Sequence, residues 1–219
     1  MTAAFRVHDL TATLSTHMAT WPTSPLPVFE PVALNPRDGY AMERIACLTH
    51  TGTHMDAPFH FLEDGLPVDR IPADRLVGRA VVLDLRNDLT GTVIGATVIQ
   101  RHWPSALHPE IALLETGWSH LRAPTRRYLY EFPGISPEAA RWLADQGVHG
   151  VGTDTLGIDP FENARFEAHK VLLEKGIWIL EALDHLDRLA EGKSYILVAA
   201  PLKILNASGA MARVLALEG

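Results

Sequence analysis

The stretch of sequence with the densest potential chemistry is HTGTHMDAPFH, which spans residues 50 to 60. Its imidazole and carboxylate groups all occupy even-numbered positions, at His50, His54, Asp56 and His60. Side chains at such positions lie on one face of an extended chain. Imidazole nitrogens and carboxylate oxygens are ligands for divalent transition-metal ions. The spacing therefore indicates a cluster of metal-ligating side chains.

The backbone of this motif is predicted to bend. Its threonines, glycine and proline disfavour a helix. A straight strand would separate His50 from Asp56 by about 20 Å, at roughly 3.3 Å per residue, which is too far for both side chains to reach one ion. Gly52 tolerates backbone dihedral angles that other residues avoid, so we predict the bend at this glycine.

The ligand types favour Zn²⁺ or Mn²⁺, and the lack of thiolate ligands argues against a purely structural zinc site. An open, catalytic site is the prediction. The alternative is a loop in which these polar side chains only form hydrogen bonds. Four ionisable groups at alternating positions favour metal binding over that alternative.

Buried strands and a few helices are predicted to position the cluster. Continuous apolar runs bounded by glycine or polar residues are typical of buried strands. Such runs are RAVVLDLR (79–86), EIALLETGW (110–118), VHGVGTDT (148–155), IWILEAL (177–183), SYILVAAPLKIL (194–205) and AMARVLAL (210–217). The last two are joined by NASG, which suits a hairpin turn. Periodicity alone leaves α/β and α+β architectures open.

Two segments have the signals of helices. SPEAARWLADQGV (136–148) has Ser136 as a cap, Pro137 for the first turn and Gly147 to end it. FENARFEAHKVLLEKG (161–176) predicts a second helix, and TVIGATVIQRHW (92–103) predicts a short helix or turn.

The segment before the motif is rich in proline. Residues 5 to 40 predict an extended arm or loop, because proline disfavours both helix and central strand. We expect its apolar side chains, Trp21, Val28, Phe29 and Val32, to be buried. YAMERIACLTH (40–50) predicts a strand that enters the motif, with Cys47 as a small core residue.

Composition excludes several classes of protein. The chain has 219 residues, 47% hydrophobic and 21% charged, which predicts one globular domain over residues 1–219. A net charge of −7 without a basic stripe argues against nucleic acid as a partner. The single cysteine excludes an intrachain disulfide. No run approaches the roughly 18 apolar residues of a membrane span, so we expect a cytoplasmic protein without a membrane partner.

The motif resembles the HxGTHxDxPxH signature of the metal-dependent cyclase family, which includes bacterial kynurenine formamidase and isatin hydrolase. Other segments resemble the family in the same order: TWP (20–22), ALLETGW (112–118), PGISPEAARWLADQGV (133–148), GTDTLGIDP (152–160) and APLKI (200–204). The resemblance covers nearly the whole chain. It departs from the family at ILNASGA and LGIDPFEN, and such loop positions commonly tune specificity.

The resemblance implies a site with two divalent metal ions, Zn²⁺ being favoured and Mn²⁺ the alternative. His50, His54 and Asp56 would hold the first ion. Asp56 would bridge to a second ion, which His169 and Glu181 would complete. From the residues alone, His169 is an exposed helix residue and Glu181 an isolated charge in an apolar strand that requires a partner.

The resemblance also implies a mechanism. A water bridging the two ions would attack a polarised amide carbonyl, and His60 would transfer a proton to the departing amine. Trp21 would line the substrate pocket, with a core-capping aromatic as the alternative. His17 and Phe61 are further candidates for the pocket border.

Three more residues have two interpretations each. Asp154 and Asp159 would either orient ligands from outside the coordination sphere or cap loops. Lys203 is either an exposed strand residue or a contact of the site.

The implied fold is α/β, of the swivelling β/β/α type, with a mixed sheet or small barrel flanked by helices. The implied activity is hydrolysis of N-formyl-kynurenine or a similar aryl formamide, and relatives predict a homodimer or homotetramer. Opening of a cyclic amide such as isatin is an alternative substrate, and a metal-bound binding protein without turnover is an alternative class. A proton-transfer residue at His60 argues against that class.

Overall fold

The computed structural model describes residues 5–219, and these residues form twelve strands and five α-helices. The strands are β1 (Arg6–Asp9), β2 (Val28–Ala33), β3 (Met42–Ala46), β4 (His54–Asp56), β5 (Val77–Asp84), β6 (Val93–Ile94), β7 (Ile111–Glu115), β8 (Gly134–Ile135), β9 (Gly150–Thr153), β10 (Trp178–Glu181), β11 (Ser194–Pro201) and β12 (Gly209–Glu218). The helices are α1 (Asn35–Asp38), α2 (Ala96–His102), α3 (Arg126–Tyr130), α4 (Pro137–Asp145) and α5 (Glu167–Glu174). Short 3₁₀ turns lie at Pro58–His60, Val68–Arg70, Ala73–Leu76, Ser105–Leu107, Trp118–Leu121 and Leu186–Arg188.

Seven of the strands close into a mixed barrel. They follow the order β12-β11-β5-β7-β9-β10-β4, and β4 pairs back onto the start of β12. The strands β5, β7, β9 and β10 run parallel, whereas the other pairs in the ring are antiparallel. β1 adds to the outside of β12. This arrangement confirms the predicted α/β fold with a small barrel flanked by helices.

Side chains alternate along the parallel strands between two apolar clusters. Val82, Leu113 and Leu180 belong to the cluster on the inner face of the barrel. Val81 and Ile179, one position away, belong to the cluster that packs against α2, α4 and α5. A strand buried on both faces has the continuous apolar sequence that predicted these strands. The strands of the barrel are thus packed on both faces.

The helix predictions hold for α4 and only partly for α5. Ser136 caps α4 by accepting a hydrogen bond from the amide of Ala139. The second helix does not begin at residue 161 as predicted, but at Glu167. The Asp159 carboxylate accepts hydrogen bonds from the amides of Ala168 and His169 and so fixes the start of the helix there.

The segment before the motif was predicted wrongly in two respects. Asn35–Asp38 form a short helix, α1, within the predicted arm, because Pro36 lies in its first turn, where proline is tolerated. The second difference concerns burial. β2 and β3 pair with each other as a two-stranded sheet, separate from the barrel. Consequently Val28 and Val32 remain 49% and 50% exposed, all of β3 is exposed, and Cys47 is only half-buried. The apolar composition predicted burial, but none of residues 5–219 packs over the exposed side chains of the hairpin. Among residues 5–219, no helix is both long and apolar enough to cross a membrane.

Candidate metal centre

The motif bends at the predicted glycine. Gly52 has φ of +64°, so a residue with a Cβ would be strained there, and it would also displace the Leu14 side chain, whose Cδ2 would lie 2.5 Å from that Cβ. The bend turns His50 back onto the end of the motif, where its Nδ1 lies 2.7 Å from Asp56 Oδ1. The two residues that a straight strand would separate are therefore in contact.

Asp56 lies at the centre of the site and is completely buried. Its Oδ1 is 3.3 Å from His54 Nε2, and its Oδ2 is 3.5 Å from His169 Nε2. Within the described part of the chain, Oδ2 has no hydrogen-bond partner. Burial alone would raise the pKa of Asp56, but the adjacent imidazoles of His169, His50 and His54 hold it well below the usual value. The group is a carboxylate with a free lone pair directed at imidazole nitrogens.

Glu181 approaches Asp56 from the neighbouring strand. β10 pairs with β4 in a register that sets Glu181 opposite His54. Glu181 Oε2 is 3.5 Å from His54 Nε2, and Oε1 is 3.0 Å from His169 Nε2. The amide of Ile158 also donates to Oε1, at 2.8 Å. Glu181, the isolated charge in the apolar strand, is therefore paired with two histidines and a backbone amide.

His169 is buried, not exposed as its position in a helix suggested from the residues alone. Its Nδ1 lies 2.6 Å from Asp159 Oδ2, and this contact turns Nε2 towards Asp56 and Glu181. Asp159 therefore fulfils both functions considered from the sequence, because it caps α5 and orients a histidine. Asp154 does not reach the cluster, and its carboxylate accepts hydrogen bonds from Thr116 instead.

His60 stands beside the cluster. Its ring stacks on that of His50 with 4.0 Å between centroids. Ligand atoms of His50, Asp56 and His60 lie within 4.8 Å of one another, as do those of His54, Asp56 and Glu181. Burial lowers the pKa of His60 to about 4; the charge of Asp56 opposes this, and the neighbouring histidines add to it. His60 is therefore a neutral imidazole at neutral pH, with a ring nitrogen that is not occupied by a proton.

The donor set fits a divalent cation. Burial alone would lower the pKa of His54, but the hydrogen bond with Asp56 and the charges of Asp56 and Glu181 raise it to about 9. The adjacent carboxylates of Asp159, Asp56 and Glu181 likewise outweigh burial and hold the pKa of His169 well above its usual value. Both rings supply positive charge to the carboxylates, as a bound cation would. The buried free oxygen of Asp56 supports the same fit.

A cavity of about 400 Å³ opens over the cluster. Trp21 forms part of its wall and is half-buried. The centroid of its ring lies 5.2 Å from that of Phe161 and 6.3 Å from that of Phe166. Phe61 lines the cavity as considered, whereas His17 and Lys203 are exposed and lie outside it. The wall also includes Ala19, Thr20, Ser24, Leu48, Gly52, Leu156, Gly157, Phe166 and Ala182, and the floor is formed by His50, His54, His60, Asp159, His169 and Glu181.

Two residues of the site were not found from the sequence. Ser208 Oγ lies 2.9 Å from His50 Nε2, and the ring of Phe166 lines the cavity. The absence of a side chain at Gly209 lets the His50 ring approach Ser208, because a Cβ at residue 209 would lie 2.6 Å from His50 Cε1. Ser208 lies in ILNASGA, one of the two segments that depart from the family pattern, and this was the only available signal for it. Phe166 lies outside both segments, so no signal in the sequence indicated it.

The protein is thus a closed mixed barrel with a buried cluster of histidines and carboxylates beneath an aromatic cavity. Such a site can bind a metal ion. The chain belongs to the family described as "Putative cyclase", whose model matches residues 8–160. A kynurenine formamidase of Erythrobacter litoralis is 32% identical over 97% of this chain and 94% of its own length. A kynurenine formamidase of Bacillus cereus is also 32% identical, over 94% of each chain.

Solved structures agree with this assignment. Isatin hydrolase A from Labrenzia aggregata is 31% identical and superposes with a TM-score of 0.84 over 97% of this chain and 93% of its own. An isatin hydrolase bound to thioisatinate is 25% identical, with a TM-score of 0.89 over 98% and 92%. A metal-dependent hydrolase from Bacillus stearothermophilus is 32% identical, with a TM-score of 0.79 over 99% and 100%. The resemblance predicted from the motif is confirmed.

Proposed function

We propose that this protein is a metal-dependent amide hydrolase that cleaves N-formyl-kynurenine or a similar aryl formamide to the arylamine and formate. The observation that carries this proposal is the convergence of three imidazoles and a second carboxylate on Asp56, beneath an aromatic cavity. The similarity to kynurenine formamidases over nearly the whole chain supports it.

The proposed ligands divide between two ions that share Asp56. His50 and His54 complete the first set, and His169 and Glu181 complete the second. Zn²⁺ is the favoured ion, with Mn²⁺ as the alternative, because the donors are imidazoles and carboxylates without thiolates. Divalent cations in such a site lower the pKa of a water and polarise a carbonyl oxygen.

The protein's own side chains supply the remaining chemistry. His60 is neutral and lies beside His50, where it can accept a proton from the water and deliver it to the amine as the C–N bond breaks. The rings of Trp21, Phe61 and Phe166 provide an apolar wall against which an aryl group can pack. The products are thus a free amine and a carboxylate.

A second substrate follows from the structural comparisons. The isatin hydrolases superpose closely on this chain, and opening of a cyclic amide would need the same cluster and the same aromatic wall. A binding protein without turnover is the third possibility, and it requires no function of His60.

Rates on a small panel of substrates test these possibilities. The protein is stripped with a chelator, reloaded with Zn²⁺ or Mn²⁺, and assayed on N-formyl-kynurenine, formanilide and isatin. We expect ion-dependent hydrolysis of a formamide. Replacing His60 by alanine should abolish it, whereas the matched variant His17→Ala, in an exposed histidine outside the cavity, should not. Turnover of isatin alone would select the second substrate, and failure on all three with both ions would overturn the proposal.

We also propose that the protein is a homodimer or homotetramer. The β2–β3 hairpin supports this, because its apolar residues Val28, Val32, Met42 and Ile45 are each 46–55% exposed. Val28 and Ile45 lie on opposite faces of the hairpin, since Ile45 pairs with Phe29. Light scattering should give at least twice the 24.1 kDa mass of one chain. Ile45→Glu should shift the protein towards the monomer. A wild-type protein that is monomeric at high concentration would contradict this proposal.

A further inference from the structure

Ala182, the residue directly after Glu181, has an unusual backbone. Its φ is +53°, in the left-handed region that is unfavourable for any residue with a Cβ. The residue is 2% exposed and lines the cavity. Because a strained conformation persists only where its surroundings impose it, the contacts of Ala182 determine the direction of the chain beside Glu181.

Three groups hold this turn. The Ala182 amide donates to the carbonyl of Thr155 at 2.8 Å. The Ala182 carbonyl accepts hydrogen bonds from Thr53 Oγ1 at 2.7 Å and from Arg122 Nη2 at 3.2 Å. Arg122 Nη2 also lies 2.8 Å from the carbonyl of Leu183, to which it donates. Arg122 therefore joins the two carbonyls that follow Glu181.

Arg122 reaches the turn from a distant part of the chain. It lies in the loop before α3, and its guanidinium carbon is 5.9 Å from the centre of the Tyr128 ring. Both contacts come from one nitrogen, Nη2, whose two N–H groups can serve the two neighbouring carbonyls. The charge also strengthens both hydrogen bonds.

We propose that Arg122 is a positioning residue. By binding the carbonyls of Ala182 and Leu183, it holds the left-handed turn that keeps the Glu181 carboxylate directed at His54 and His169. Arg122 itself touches none of these three side chains. The inference deepens the proposed function, because it rests on Glu181 being a metal ligand.

The first test replaces Arg122 by methionine, which keeps most of the apolar stem and removes the donors. Outer contacts that orient metal ligands typically change metal affinity by about 10- to 100-fold, and we expect a weakening of Zn²⁺ binding in that range. Arg122→Lys should recover part of the affinity, because it retains one charged donor. Arg127→Met is the matched control, since Arg127 lies in the same segment but packs on Trp118.

Glycine at position 182 separates positioning from a general loss of stability. Glycine adopts the left-handed conformation without the steric cost of a Cβ, so the turn should depend less on Arg122. We therefore expect the double variant Arg122→Met, Ala182→Gly to bind Zn²⁺ more tightly than Arg122→Met alone. Zn²⁺ affinities are measured against a chromophoric chelator, with the melting temperature of each variant recorded in parallel.

Hydrogen exchange in chelator-treated protein gives a readout that needs no ion. The Ala182 and Leu183 amides donate to the carbonyls of Thr155 and Thr153. In Arg122→Met these two amides should exchange at least about tenfold faster than in Arg127→Met. Equal exchange in the two variants, or an unchanged Zn²⁺ affinity in Arg122→Met, would overturn the inference. A wild-type protein that binds no ion, together with the expected exchange, would instead refute only the proposed function.

Discussion

Replacing Asp159 by asparagine tests how the cluster is held in place. The Asp159 carboxylate accepts a hydrogen bond from the ring of His169 at 2.6 Å and from the amides of Ala168 and His169, both at 2.9 Å. Asparagine keeps one oxygen acceptor, but it replaces the second carboxylate oxygen by an NH₂ donor and loses the charge. The change therefore alters how His169 is oriented and leaves the residue itself in place.

The expected effect follows from the strength of these contacts. A hydrogen bond to a charged group contributes about 1.5–3 kcal/mol, against about 0.5–1.5 kcal/mol for a neutral one. Loss of the charge should therefore cost about 1–1.5 kcal/mol, which corresponds to roughly tenfold weaker Zn²⁺ binding.

The pH dependence of this loss has a definite sign. The Asp159 carboxylate helps to raise the pKa of His169, so protons compete with the ion more strongly in the wild type than in the variant. This competition disappears as the pH rises through the pKa of His169. The Zn²⁺ dissociation constant of Asp159→Asn, divided by that of the wild type, should therefore be larger in alkaline than in neutral buffer.

The assay is competition with a chromophoric chelator at both pH values. Asp154→Asn is the control, because Asp154 is an equally buried carboxylate that binds Thr116 and does not contact His169. The control should bind Zn²⁺ like the wild type. If Asp159→Asn also kept wild-type affinity at both pH values, or if the two variants lost affinity equally, the proposed role of Asp159 would be wrong.

Three further predictions concern the site. His60→Ala should keep its metal content and lose activity by about 10² or more, because a proton-transfer group is removed; loss of the ion would make His60 a ligand instead. Trp21→Ala should raise the KM for an aryl formamide roughly tenfold through lost ring contact, whereas Trp103→Ala, which packs on Trp142 away from the cavity, should leave KM unchanged. Binding of Zn²⁺ near pH 7 should release protons, because His54, with a pKa of about 9, must become neutral to coordinate; calorimetric heats that do not depend on the ionisation enthalpy of the buffer would contradict this.

Elements with strong local signals could be predicted from the sequence. The apolar run at 79–86 corresponds to β5, and α4 begins at the predicted cap, Ser136. Gly52 bends the motif as expected, because only the local dihedral angle matters there. Each of these features is determined by residues close together in the chain, so the local sequence pattern is enough to predict it.

Features that depend on contacts between distant parts of the chain could not be predicted from the local sequence pattern alone. The pairing of β4 with both β10 and β12 closes the barrel, and no local signal specifies it. His169 and Glu181 were placed near the motif only through the family resemblance. The hairpin was predicted to be buried from its composition, which does not tell whether another segment of the same chain covers it.

The metal content of protein purified without added ions tests the central claim most directly. Mass spectrometry should find about two equivalents of a divalent ion in the wild type, because Asp56 serves two ligand sets. Asp56→Ala should contain none, and Asp145→Ala, an exposed carboxylate at the end of α4, should keep both. A wild type without bound ions, or an Asp56→Ala variant that retains two equivalents, would contradict the account.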